Sequence, residues 1–140
     1  MQGPRRNKAT KLHQNAACNR ELAIMDRFST QKLAVVWDFA EDGGAVGTYE
    51  SDTYLPANCV VTRVYTYEET AVAGATDVDF KAGSNDLCTA VDLTADTGFQ
   101  SRTVATDYHA SRSRLAVDIN TAPATAGKVH FIVEFIKLAD

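Results

Sequence analysis

From Leu33 onward the chain is a succession of short runs in which β-branched and aromatic residues alternate with polar ones, punctuated by clusters of Gly, Asp, Asn and Pro. A period of two sends neighbouring side chains to opposite faces of a strand, so the runs read as strands and the clusters as turns. LAVVWDFA (33 to 40) is the first run, and the Asp-Gly-Gly of EDGGAVG after it marks a hairpin turn. GTYESDTYLPAN carries scattered aromatics and then Pro56, which has no amide proton and so suits an edge strand or a loop.

The next run, VVTRVYTYEE, is apolar in two directions. Val61, Arg63, Tyr65 and Tyr67 fall on one face and Val60, Thr62, Val64 and Thr66 on the other, with β-forming residues on both. Such a strand fits an interior position in a sandwich whose outer face is covered by a neighbour, an arm or a second subunit. Val61, Arg63, Tyr65 and Tyr67 are therefore a candidate interface strand.

TDVDFKAG turns Val78 and Phe80 inward and Asp77, Asp79 and Lys81 outward, and another short strand spans Leu87 to Leu93. Residues 94 to 113 read as a long polar connection with one weak strand near Arg102 to Ala105. LAVDIN puts Leu115, Val117 and Ile119 on one face. In KVHFIVEFIKL, Val129, Phe131, Val133 and Phe135 alternate with His130, Ile132, Glu134 and Ile136, which predicts a central strand. About seven to nine short strands with frequent turns and hardly any helix predict an all-β fold, an antiparallel β-sandwich or jelly roll.

The first 32 residues differ in kind. Gln2 to Asn19 is polar and basic without sustained periodicity and predicts an extended arm. Leu22, Ile24, Met25 and Phe28 then fit one face of about two helical turns, with Asn19 as a candidate N-cap. The expected organisation is an arm over residues 1–32 and a β-sandwich domain over residues 33–140.

Charge sharpens that division. Residues 1–32 hold seven Lys or Arg against Glu21 and Asp26, a balance of +5, whereas the remainder holds seven basic and sixteen acidic residues, −9. A basic arm on an acidic body can bind nucleic acid by counterion release or lie across an acidic protein surface. The arm has no aromatic before Phe28 on which a base could stack, and it leads into an apolar anchor. A protein surface is therefore the preferred partner, contacted through Arg5, Arg6, Lys8, Lys11, Arg20, Leu22, Met25 and Phe28.

Composition narrows the remaining chemistry. A chain of 140 residues, 45% hydrophobic, can build a core by packing alone. Its apolar runs fall short of the roughly 18 residues of a membrane span, and no export signal is read at the N-terminus. Cys18, Cys59 and Cys88 form an odd set without metal-ligand spacing, read as small apolar fillers kept reduced in a cytosol. Asp107, His109, Ser111 and Ser113 supply triad residue types, but all on one short segment, which reads as a solvated loop with a partly exposed His109. Asp77, Asp79, Asp86, Asp92 and Asp96 lack calcium-loop spacing and serve by default to blunt edge pairing. No catalytic residue, metal or cofactor is expected.

VVWDFAEDGGAVGTY, LPANCVVTRVYTY, TDVDFKAG and the terminal KVHFIVEFIKL together resemble the small β-sandwich virion proteins of tailed bacteriophages, over roughly residues 33 to 138. The resemblance implies a structural virion component of the head decoration or cement type, on the capsid surface. Its partners would be the major capsid protein and neighbouring copies of itself, as a homo-oligomer and by analogy a trimer. Two other readings stand beside it: a head-tail connector, tail or fibre component, and a carbohydrate-binding jelly-roll module with Trp37, Tyr49 and Tyr54 as its platform. For Trp37, set in an apolar run, core packing is the stronger expectation.

Overall fold

The computed structural model describes residues 29–95 and 97–138. The expected helix and all the candidate arm residues, Arg5, Arg6, Lys8, Lys11, Arg20, Leu22, Met25 and Phe28, lie outside the described residues. Nine strands follow in order: β1 (Thr30–Asp38), β2 (Gly47–Leu55), β3 (Cys59–Ala73), β4 (Asp77–Ala82), β5 (Asn85–Val91), β6 (Phe99–Arg102), β7 (Tyr108–His109), β8 (Ser113–Asn120) and β9 (Ala126–Lys137). One short helix, α1 (Phe39–Asp42), lies between β1 and β2.

The strands form two antiparallel sheets. The first has the order β1-β9-β3-β6, with β7 also paired to β3, and the second the order β2-β8-β4-β5. Apart from the β4-β5 hairpin and the short β6 and β7, which both join the first sheet, successive strands belong to opposite sheets, so the interleaved order is that of a jelly roll. β9 lies between β1 and β3, the central place its two apolar faces predict. β2 is an edge strand, as Pro56 beside it suggested.

The core is the space between the sheets. Val129, Phe131, Val133 and Phe135 of β9 and Trp37 of β1 face Val78 and Phe80 of β4 and Leu115, Val117 and Ile119 of β8, and all are buried. Phe80 and Phe131, both without exposed surface, meet across the gap with centroids 5.4 Å apart and rings tilted by 42°. That geometry suits the ring quadrupoles and ties one sheet to the other.

Three local expectations are corrected. The first run ends at Asp38 rather than Ala40, because the Asp38 carboxylate accepts a hydrogen bond from the amide of Ala40 at 3.0 Å and caps α1. The Asp-Gly-Gly segment is not a hairpin turn, since β1 and β2 belong to different sheets and the segment crosses between them. Gly44 within it packs so closely on the carbonyl of Ala124, its hydrogen-bond partner's residue, that a Cβ there would overlap that oxygen. The polar connection of residues 94 to 113 contributes β6, three residues earlier than the weak strand expected at Arg102. β6 and β7 are too short and too polar for period-two reading; they are strands because the neighbouring β3 offers them a template.

The fourth correction concerns β3. Val61 pairs with Phe135 and Arg63 with Glu134, so two steps on β3 match one step on β9. The extra residue, Thr62, is a β-bulge, and it inverts the alternation. Val61, Val64 and Thr66 consequently point into the core, while Val60, Arg63, Tyr65 and Tyr67 point outward. The bulge is held by the amide of Val61 donating to the Asp107 carbonyl at 2.7 Å and the hydroxyl of Thr62 donating to the Glu134 carbonyl at 3.2 Å.

Candidate assembly face

The outer faces of the two sheets carry different chemistry. On the second sheet they are charged and matched within the sheet. Lys81 of β4 lies 3.4 Å from Asp118 of β8 and 3.7 Å from Asp86. Arg114 of β8 reaches Glu50 of β2 at 2.9 Å and donates to the Tyr54 hydroxyl at 3.1 Å. Asp79 accepts from the amide of Ala90 at 2.9 Å and from Asn120 at 3.1 Å. A face whose charges are met by its own neighbours is at home in water.

The first sheet presents apolar and aromatic rows instead. Its register sets Val36, His130, Tyr67 and Phe99 side by side across β1, β9, β3 and β6, and Ala34, Ile132, Tyr65 and Ser101 in the next row. Tyr65 and Phe99 stack at 5.1 Å, and the Tyr67 ring lies 5.7 Å from that of His130. Val36, Tyr67 and Phe99 keep 44%, 42% and 60% of their surface in solvent, so among the described residues this apolar surface is left open. Beyond it runs a polar row, Lys32, Glu134 and Arg63, and after that Thr30, Ile136, Val60 and Tyr108. Arg63 donates to the Tyr65 hydroxyl, which in turn donates to Glu134, both at 3.4 Å.

At the opposite margin Glu69 bridges His130 at 2.9 Å and Lys128 at 3.2 Å. Those hydrogen bonds, His130's first and Lys128's second, hold the Glu69 carboxyl below its ordinary value, and Glu69 raises Lys128 in return. The face is therefore an aromatic patch with a rim of oriented charge.

Of the four candidate interface residues the bulge separates one. Val61, 2% exposed, belongs to the core, whereas Arg63, Tyr65 and Tyr67 lie together on the outer face. Val36, Phe99 and Ile132 complete that face and were not singled out by sequence. Ile132 had a signal, its place opposite the inward Phe131, but Phe99 sits in a polar connection and only strand pairing brings it beside Tyr67.

The residues with potential for catalysis or ligand binding are placed elsewhere. His109 is buried rather than partly exposed, because β7 pairs it with Cys59 on the core side of β3; its Nε2 meets the Thr106 carbonyl at 2.9 Å. Ser113 donates to the Ser111 carbonyl at 3.1 Å, and Asp107 accepts from the amide of Tyr108 at 2.7 Å. The hydrogen bonds of His109, Ser113 and Asp107 thus go to backbone groups. Trp37 is packed in the core with its indole donating to the Gly43 carbonyl at 3.1 Å, and the Tyr54 ring is covered by Arg112 at 3.9 Å, so the three-ring sugar platform is not assembled. Cys59 and Cys88 are free and buried, and burial pushes the Cys88 thiol up to about 11. Among the described residues no group of three His, Cys, Asp or Glu could hold a metal ion, and no helix is long and apolar enough to cross a membrane.

The fold recurs in solved structures. A chain in the acidic stable capsid structure of Helicobacter pylori bacteriophage KHP30 superposes with a TM-score of 0.55 at 17% identity, covering 80% of this chain and 91% of that one. A chain in the capsid of Ralstonia phage GP4 superposes with a TM-score of 0.54 at 14% identity, covering 79% of this chain and 86% of that one. High coverage on both sides means that the matched chains are close to this one in length. No family model matches the sequence, and no curated protein matches it.

Proposed function

We propose that this chain is a structural protein of a bacteriophage virion, a decoration or cement protein that binds the outside of the head shell. The observation that carries the reading is the likeness of its fold to small chains within two phage capsids, nearly over the whole length of each. The open aromatic face of the first sheet supports it from a second direction. A protein that reinforces a shell needs a broad contact repeated by symmetry rather than an active site, since many weak copies of one contact add up.

The proposed division of labour follows the surfaces. Tyr65, Tyr67, Phe99 and Val36 would bury against the major capsid protein, with Arg63 on the rim setting orientation. The basic arm, through Arg5, Arg6, Lys8, Lys11 and Arg20 with Leu22, Met25 and Phe28 as anchor, would cross onto acidic surface of the shell or of a neighbouring copy. The acidic outer face of the second sheet would remain toward solvent.

Co-sedimentation of the full chain with heads that lack it tests the reading. Saturable binding at fixed stoichiometry is expected, weakened at least tenfold by Tyr67→Ser with Phe99→Ser, since burying two aromatic anchors is worth a few kcal/mol. Removal of residues 1–28 is expected to weaken binding as well and to reduce its dependence on salt. Absence of binding to heads, or binding to tail assemblies in its place, would refute the head assignment.

A further inference from the structure

We infer that the free edge of β1 is a self-association site, pairing antiparallel with β1 of a second copy about a two-fold axis at Val35. The capsid reading makes no use of this edge, and the inference can fail or hold without it. β1 is a terminal strand of its sheet, and among the described residues no strand pairs with its other side, although at its end the amide of Asp38 donates to the Asp42 carboxylate at 2.8 Å. It runs for nine residues without Pro and without a register shift against β9. The other edges are guarded. β2 is interrupted by a shift between Glu50 and Tyr54, β5 by shifts in its pairing with β4, and β6 is four residues long. A long regular edge with so little charge is a template for another strand.

The sequence of the edge selects its partner. TQKLAVVWD carries one cation, Lys32, and one anion, Asp38, three residues either side of Val35. Antiparallel pairing centred on Val35 therefore places Lys32 opposite Asp38 of the second copy at one end, and the reverse at the other. Ala34 comes opposite Val36 between them. Like parity of these positions keeps all four on the outer face, so two attractive charge pairs flank an apolar centre. Shifting the register by two residues loses both charge pairs. The contact also joins two aromatic outer faces into one continuous sheet surface, doubling the area offered to a common partner. Being isologous, it closes at two copies.

Sedimentation equilibrium of the full chain, without capsids, across a concentration series from micromolar to near millimolar gives the test. The expected mass is that of two copies. Lys32→Glu sets two like-charged pairs against each other and is expected to weaken the dimer about tenfold or more. Asp38→Lys should do the same, and an equimolar mixture of K32E with D38K should recover the dimer, because each mixed pair then carries opposite charges. Circular dichroism checks that both variants remain folded, Asp38 being also the cap of α1. Register is read separately by oxidising a mixture of Ala34→Cys and Val36→Cys chains and mapping the bond by peptide mass. A cross-link joining the two introduced positions is expected, since directly opposed residues lie within disulfide reach. A mass of one copy throughout would leave the edge to another occupant, such as the chain's own residues 1–28, and overturn the inference. So would a mass of three copies, a dimer indifferent to K32E, or no cross-link between the introduced cysteines.

Discussion

Phe131 and Phe99 are the same residue type on opposite faces of one sheet, and truncating each in turn measures what the core and the open face contribute. Phe131 is fully buried and braces Phe80. Replacing it with Ala removes the transfer energy of the ring, leaves a cavity between two sheets that cannot close over it, and costs about 3–5 kcal/mol. Phe99 already has 60% of its surface in water. Full burial of such a ring is worth about 1.5–3 kcal/mol, so its covered part contributes roughly 1 kcal/mol, with about another 0.5–1.5 kcal/mol from its stack on Tyr65. Urea unfolding followed by fluorescence reads both, because Trp37 is the single Trp and is packed at the centre of the core. With m of about 1–3 kcal/mol/M, Phe131→Ala should lower the midpoint by about 2 M and Phe99→Ala by no more than about 1 M, with m unchanged. Equal shifts would refute the assignment of Phe99 to an open face, and with it the argument that this face awaits a partner.

Gly44→Ala should lower Tm by several degrees, since the new methyl group meets the Ala124 carbonyl; Gly98→Ala has open space and only its left-handed backbone to oppose it, and should cost about 1 kcal/mol. Cys59 and Cys88 should resist a thiol reagent in the native protein and react on unfolding. Because burial raises Cys88 from 9.0 to about 11, the fold favours the neutral thiol: its contribution is complete below pH 9 and is lost as pH rises toward 11, and a Cys88→Ala variant should show a flatter decline of urea midpoint over that window. Glu69 is shifted the other way, so its contribution is present above pH 4.5 and fades as pH falls, a decline that Glu69→Gln should remove.

Hydrophobic periodicity was enough to find the strands that bury one face. β4, β8 and β9 show it most clearly, because Val78 and Phe80, Leu115 to Ile119, and Val129 to Phe135 follow the pleat without interruption. The same signal located β9 at the centre of its sheet, since Ile132 and Ile136 add apolar character to its second face. On β3 it succeeded for the element and failed for the face: one extra residue at Thr62 reverses the side chains from Arg63 to Tyr67, and a bulge leaves no mark in composition. His109 was misplaced for a similar reason, its burial arising from pairing with Cys59, fifty residues away in the chain.

Local physics by itself determined the class of this protein: an alternating pattern, frequent turns and an apolar total large enough for one core leave few architectures other than two packed sheets. It also separated a basic N-terminal segment from an acidic body. Only the tertiary structure decided that the sheets interleave as a jelly roll, that Tyr65, Tyr67, Phe99 and Val36 assemble into one exposed face, and that among the described residues no strand pairs with the outer edge of β1. Each of these depends on which strands become neighbours, a matter of long-range pairing energy that no short window of sequence contains.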